Sequence, residues 1–494
     1  MTFPVLPAGP AQAQSLRRSR TGGRLRVATA VAAISVVLAG CSSAASTPAA
    51  TTAAASSAST AASSSTTLGQ PPGAQAASSG APGAPGGASG GASTAQYTPT
   101  GAYSLSSGTE TKSGASYTAT EADQSAVIVT GTANLTLNDA TIVTSGASKS
   151  SDESSFYGLD ASVLAQSGGK VTLSGGTVTT TGNGANGIFA YGTSTVTASN
   201  LTIKDTGQYA HGAMASGGGT VNLTNVNIST AGANSGAIAT DRGGGTITAT
   251  GGTVTTSGQD SPAIYSTGAI TVSGGTLSAN GAEAAVIEGA NSITLTDSSL
   301  SSSKDGKWGV LIYQSMSGDA SGAKGTFTMT GGSLSYSGSS GPLFYVTNST
   351  GVINLKGVTV TAGGGVLVKA AAGNWGTSGS NGGTAIITAD GETLTGDLVS
   401  DSSSSIAATL QNGTTLTGTI NSAALTLDAT SIWNVTGTSY LTSLSDASGI
   451  SGTTITNIHG NGHSVYYDAT LAANSTLGGK TYTLAGGGQL TPKA

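Results

Sequence analysis

The chain is poor in most of the groups that proteins use for chemistry. It has one cysteine in 494 residues, so no disulfide can form within the chain and no Cys-based zinc site can be assembled. Charged residues make up 8% and aromatics 4%, against a usual ~25% charged. With 17 Lys and Arg against 22 Asp and Glu, the formal net charge is -5, and the concentrated positive charge of a nucleic-acid binder is missing. Twelve prolines and no strict glycine triplet exclude a collagen. Leu, Glu, Lys and Arg are scarce while Gly, Ser and Thr abound, which argues against a helical protein. What the chain does have is glycine, 77 residues of it.

The N-terminus reads as an export signal. Arg17, Arg18, Arg20, Arg24 and Arg26 precede an apolar run, Val27 to Leu38, that is too short to span a ~30 Å hydrocarbon core comfortably. The run ends Leu38-Ala39-Gly40-Cys41. This resembles the lipobox of bacterial lipoproteins, which implies a diacylglycerol on the Cys41 thiol and a mature chain that starts there. The expected location is the extracellular face of the bacterial cell membrane, with membrane lipid as a partner through Cys41. Arg17-Arg18 leaves the choice between the Sec and twin-arginine routes open.

Residues 1–40 are thus the signal peptide. Residues 41–95 form an Ala/Ser/Thr linker that turns Pro- and Gly-rich, as in Pro71-Pro72-Gly73. It has no hydrophobic period and little to bury, so it reads as a disordered stalk. A flexible chain of this length spans roughly 40 Å.

The remainder is a repeat. A nine-residue phrase alternates apolar and polar residues and often carries two glycines: VTLSGGTVT from Val171, VTASNLTIK from Val196, VNLTNVNIS from Val221, ITATGGTVT from Ile247. Further copies start at Leu135, Ile270, Ile293, Phe327 and Ile353. Each holds two short strands around a Gly or Asx turn. A third short strand lies between phrases, centred on Phe189, Met214, Ile238, Ile264, Val286, Leu311 and Phe344. Three short strands in roughly 25 residues, repeated in phase, predict coils that stack every ~4.8 Å. The predicted fold is all-β, a single-stranded parallel β-helix (β-solenoid). Residues 96–134 are expected to be a cap with the first coils, 135–380 the regular coils, and 381–494 shorter coils with a closing segment.

The closing segment, Leu425 to Leu441 with Trp433-Asn-Val-Thr-Gly, resembles the end of pertactin-like autotransporter passengers. That resemblance implies a right-handed coil and an adhesin-like role. After this segment there is no set of strands for a membrane barrel, so lipid at Cys41 is expected to serve as the anchor.

Candidate sites are few. Two long intervals, 147–156 and 301–324, are expected to loop outward. The second carries Lys304, Asp305, Lys307 and Trp308 as candidate contacts to a glycan or a surface protein. Tyr191, Tyr265, Tyr313 and Tyr345 lie in or beside third strands and are candidates for stacking on sugar rings. For an enzymatic alternative, Asp241 with Arg242 and Glu288 fall about two coils apart, roughly 9–10 Å, a spacing open to an inverting carboxylate pair. His211 is expected to be an ordinary exposed histidine. His459 and His463 lack further ligands for zinc. No cofactor is expected. Calcium is left open by Asp and Asn at turns, although no EF-hand loop or GGxGxD array occurs. The reading is a monomeric, surface-anchored, non-enzymatic adhesin-like or ligand-binding β-helix. The alternatives are a polysaccharide lyase or glycoside hydrolase, and a purely structural envelope protein.

Overall fold

The computed structural model describes residues 98–493 apart from Met316. The nine-residue phrases become adjacent strands of one coil, as in Thr195–Ser199 and Thr202–Asp205, and the third strand, Ile188–Tyr191, precedes them. These strands define three faces of a parallel β-solenoid, called A (Ile188–Tyr191), B (Thr195–Ser199) and C (Thr202–Asp205). Strands of each face pair in parallel with their counterparts one coil away, for example Phe189 with Met214, Val196 with Val221 and Ile203 with Ile228. Face C is a continuous ten-stranded parallel sheet, so the regular part has ten coils.

The pattern that builds these faces is simple. On face B the inward positions are mainly aliphatic and the outward ones mainly Thr, Ser or Asn; on face C an aliphatic inward column is joined by a second buried column, Thr180, Asp205, Thr230, Thr256, Ala279, Ser302 and Tyr336. Val171, Val196, Val221, Ile247, Ile270, Ile293, Phe327 and Ile353 stack in one buried column. The B-to-C turn opens with a left-handed residue, Asp139, Gly175, Asn200, Asn225, Gly251, Gly274, Asp297 or Gly331 in successive coils, and where the turn is Gly175-Gly176, Gly251-Gly252 or Gly331-Gly332 the second glycine is left-handed too. Only Gly, Asn and Asp enter that conformation readily, which explains why the turn alternates among these three.

Face A differs, because both its sides are apolar. The inward column is Ile188, Ala213, Ile238, Ile264, Ala285, Val310 and Phe344; the outward column is Phe189, Met214, Ala239, Tyr265, Val286, Leu311 and Tyr345. The expected strand centres Ile238, Ile264 and Phe344 therefore belong one residue away from Phe189 and Met214, in the other column. The outward column is a second core. Part of its cover is helix α1, Ser151–Tyr157, where an outward loop was expected. Ser150 caps it by accepting from the Glu153 N–H, Asp152 and Glu153 sit in its first turn, and Gly158 closes it in the left-handed conformation. Its buried Phe156 and Tyr157 face the solenoid, and the Ser216 hydroxyl donates to the Phe156 carbonyl.

The ends of the stack are closed chemically. In the first coil, Glu110 and Lys112 stand at the inward positions that Leu135 and Leu137 fill in the next. Glu110 accepts from Tyr103 Oη at 2.8 Å and pairs with Lys112 at 3.0 Å, while the Tyr103 and Tyr117 rings lie 5.1 Å apart. A polar and aromatic lid thus covers the open core and discourages end-to-end stacking. At the other end, Trp433 is fully buried and its indole N–H donates to the Gly418 carbonyl. Antiparallel pairs, Ile450 with Ile455 and Tyr482 with Leu490, break the parallel stack there.

Candidate functional site

The residues expected to protrude do not. Trp308 is 5% exposed and packs against Tyr345 and Trp375, with ring centroids 4.8 and 6.3 Å away. The interval 301–324 is not one loop, because Val310–Tyr313 is a strand of face A. Trp308 lies just before that strand and joins the outward apolar column, which is why it turns down. Lys307 is buried as well; its Nζ lies 2.5 Å from Asp260 Oδ1 and 3.5 Å from Glu283 Oε1. Lys304 and Asp305 are exposed, and Asp305 accepts from the N–H and hydroxyl of Ser339.

The tyrosines form no exposed ladder. Tyr265 and Tyr313 are buried and donate to Glu288 Oε2 at 2.5 and 2.8 Å. Burial, followed by the Glu288 charge, pushes both phenols well above their ordinary pKa. Tyr345 is buried and donates to the Ala372 carbonyl at 3.4 Å. Tyr191 is half-buried, edge-on to Tyr157 of α1.

Asp241 and Glu288 are 3% and 1% exposed, not surface acids. The segment after Tyr313 is fastened over them. Ser315 and Ser317 donate to Glu288 Oε1, and Asp319 accepts from Arg242 Nη2 at 2.8 Å and Nε at 3.2 Å. The Arg242 guanidinium also lies 3.8 Å from the centre of the Phe156 ring. Arg242 thereby ties α1 to the 314–323 segment. Desolvation first, then the neighbouring Asp319 charge, raises the Asp241 pKa well above the usual carboxylate range. The arrangement anchors a covering segment beside two buried carboxylates.

His211 is buried rather than exposed. Its Nδ1 lies 3.2 Å from the Gly236 carbonyl, and desolvation depresses its pKa to about 4. His459 Nδ1 lies 3.0 Å from Asn434 Oδ1. Among the described residues no group of three or more His, Cys, Asp or Glu side chains is placed to hold a metal. Cys41 lies outside the described residues.

Faces B and C both present outward side chains to solvent, and face B, with longer strands, presents the wider array. Over six consecutive strands, from Thr195–Ser199 to Lys324–Thr330, the outward side chains stand in three columns. The middle column is Thr197, Asn222, Thr248, Thr271, Thr294 and Thr328, and all six are exposed or partly exposed. The flanking columns hold Thr and Ser with one Ala, and no charge falls in the three columns across these strands. Hydroxyls therefore repeat at ~4.8 Å from coil to coil and ~6.6 Å along each strand. The signal was present in the sequence as the alternating Thr of each phrase, where it served only to mark strands. A smaller aromatic feature lies near the C-terminus. Tyr440 and Tyr466 stack at 5.4 Å and 18°, and Tyr440 is 40% exposed.

Fold and surface together define a parallel β-solenoid with a buried, covered face and an open hydroxyl face. Comparison with protein-family models, with curated proteins and with solved structures returns no match.

Proposed function

We propose that this chain is a surface-anchored, non-enzymatic binding protein that presents face B to an uncharged, hydroxyl-rich polymer such as a glycan. The observation that supports the reading is the uncharged array of Thr, Ser and Asn on a parallel sheet in continuous register. Each hydroxyl both donates and accepts, and each Thr adds a methyl for apolar contact. Short side chains on a stacked sheet lose little freedom on binding, so many weak contacts add with a small ordering cost. A repeating polymer matches a repeating face, because one contact recurs at every coil. In this reading lipid at Cys41 holds the protein at the outer surface of the cell membrane and the 41–95 stalk carries the solenoid away from it. The Tyr440–Tyr466 pair offers a second contact of the kind aromatic rings make with sugars.

The test is retention of the purified protein on insoluble polysaccharides at low and high salt. Retention that survives high salt is expected, since uncharged contacts are not screened. Failure to bind any polysaccharide, or elution by salt alone, would remove the reading.

A further inference from the structure

Three consecutive corners between faces C and A bring one cation and two acids together inside the wall. Asp260 follows Thr253–Thr256, Glu283 follows Thr276–Ala279, and Lys307 follows Ser299–Ser302. All three are buried: Asp260 and Lys307 are 6% exposed and Glu283 is 0%. The Lys307 side chain reaches back past the middle coil, so its Nζ lies 2.5 Å from Asp260 Oδ1 and 3.5 Å from Glu283 Oε1. Asp260 Oδ2 accepts from Gln259 Nε2 at 3.1 Å, and neither Glu283 oxygen has a well-formed hydrogen bond. The Trp308 ring stands 5.8 Å from the same ammonium.

We propose that Lys307 and Asp260 condense into an intramolecular isopeptide bond, with Glu283 as the proton carrier. The chemistry follows from the placement. A buried ammonium and a buried carboxylate are costly as ions, and in a dry site a proton passing between them gives a neutral amine and a neutral acid. The Nζ lone pair then attacks Asp260 Cγ. The new C–N bond forms, a C–O bond breaks, and the departing oxygen leaves as water. Glu283 takes the proton released from Nζ and delivers it to the leaving oxygen, ending in the state in which it began. Ammonium plus carboxylate gives amide plus water, with no change of oxidation state and no co-reactant. Burial pushes the Glu283 carboxyl above its ordinary range, which makes it a stronger proton acceptor than an exposed carboxylate. The bond would join residues 47 apart in sequence and tie three successive coils together.

The experiment is mass spectrometry of the purified full chain and of its proteolytic digest, with wild type, Lys307→Ala and Glu283→Gln compared. Wild type is expected to be lighter than its sequence by one water and to yield a branched peptide joining the segments around Lys307 and Asp260. Both variants are expected at full mass. A wild-type chain at full mass, with the two segments recovered as separate linear peptides, overturns the proposal. A Glu283→Gln chain that loses water as completely as wild type overturns the role given to Glu283. Wild type supplies the primary reading, so a variant that fails to fold does not blunt the test.

Discussion

Gly232→Ala should be among the most damaging single-methyl additions in the solenoid. Gly146, Gly182, Gly207, Gly232, Gly258 and Gly281 stack at the corner after face C, and each comes so close to the coil before it that no side chain fits. A Cβ built on Gly232 would stand 1.7 Å from the Gly207 carbonyl oxygen, with the Gly207 carbonyl carbon at 2.3 Å. Both neighbours are backbone, so neither can swing aside. The two coils would have to part by more than an ångström to restore an ordinary contact. That movement stretches the hydrogen bonds that flank the site, Ala231 N–H to the Asp205 carbonyl at 2.9 Å and Tyr209 N–H to the Ala233 carbonyl at 3.0 Å. Two lost bonds at about 1 kcal/mol each, added to an overpacking cost of about 1–3 kcal/mol, give a destabilisation of about 3–5 kcal/mol. Gly274→Ala is the matched control. Gly274 has φ +69 and open space where a Cβ would go, so its cost is the left-handed backbone alone, about 1–2 kcal/mol. Equilibrium denaturation in urea, followed by circular dichroism, reads both. Equal costs for the two substitutions would refute the argument from close approach.

Other expected outcomes follow from the buried groups and the anchor. Desolvation, then the Asp123 charge, raises the Asp160 pKa to about 7, so the folded state keeps a proton that the unfolded chain gives up near pH 4. Wild type should therefore lose stability as pH rises from about 4 to about 7, and Asp160→Asn should remove up to ~4 kcal/mol of that loss in denaturant titrations across the range. His211 acts in the opposite direction: its folded pKa is depressed to about 4, so stability is lost as pH falls from about 6.5 toward 4, and His211→Asn should flatten that limb. Arg242→Ala removes both the Asp319 ion pair and the contact with Phe156; limited proteolysis should then cut within 314–323 faster, at a global cost of about 1 kcal/mol. Cys41→Ser should move the protein from the detergent phase to the aqueous phase, and unchanged partitioning would remove lipid as the anchor.

The coils were legible because the repeat writes its geometry twice. The phrase starts Val171, Val196 and Val221 stack in one column, and the Gly, Asn or Asp between paired strands marks a left-handed turn. Face A was harder to read, because both sides of its strands are apolar and no alternation shows which residue faces in. Ile238 and Phe189 look equivalent in sequence yet lie in different columns. The covering segments were misread for a related reason. Charged residues in a long interval suggested solvent, but Lys307 and Asp319 find partners 47 and 77 residues away, which no local pattern reveals. Helix α1 did carry a local signal, Ser150 three residues before Glu153, but the same spacing recurs between Ser107 and Glu110 and between Thr118 and Glu121, which run into strands, so the signal alone does not single out the helix. Trp308 was placed outward as a large contact residue, although its position two residues before an apolar strand marks it for the covered column.

The claim that face B is the binding surface is tested most directly by comparing two triple variants with the same charge. Thr248→Lys, Thr271→Lys and Thr294→Lys stand in register on face B; Ser229→Lys, Thr255→Lys and Ser278→Lys stand in register on face C. All six positions point outward, so both triples keep the core intact and add the same repulsion. Retention on the polysaccharide that binds wild type is measured for each, alongside circular dichroism to confirm the fold. The account predicts that the face B triple loses retention and the face C triple keeps it; equal retention by both would contradict it.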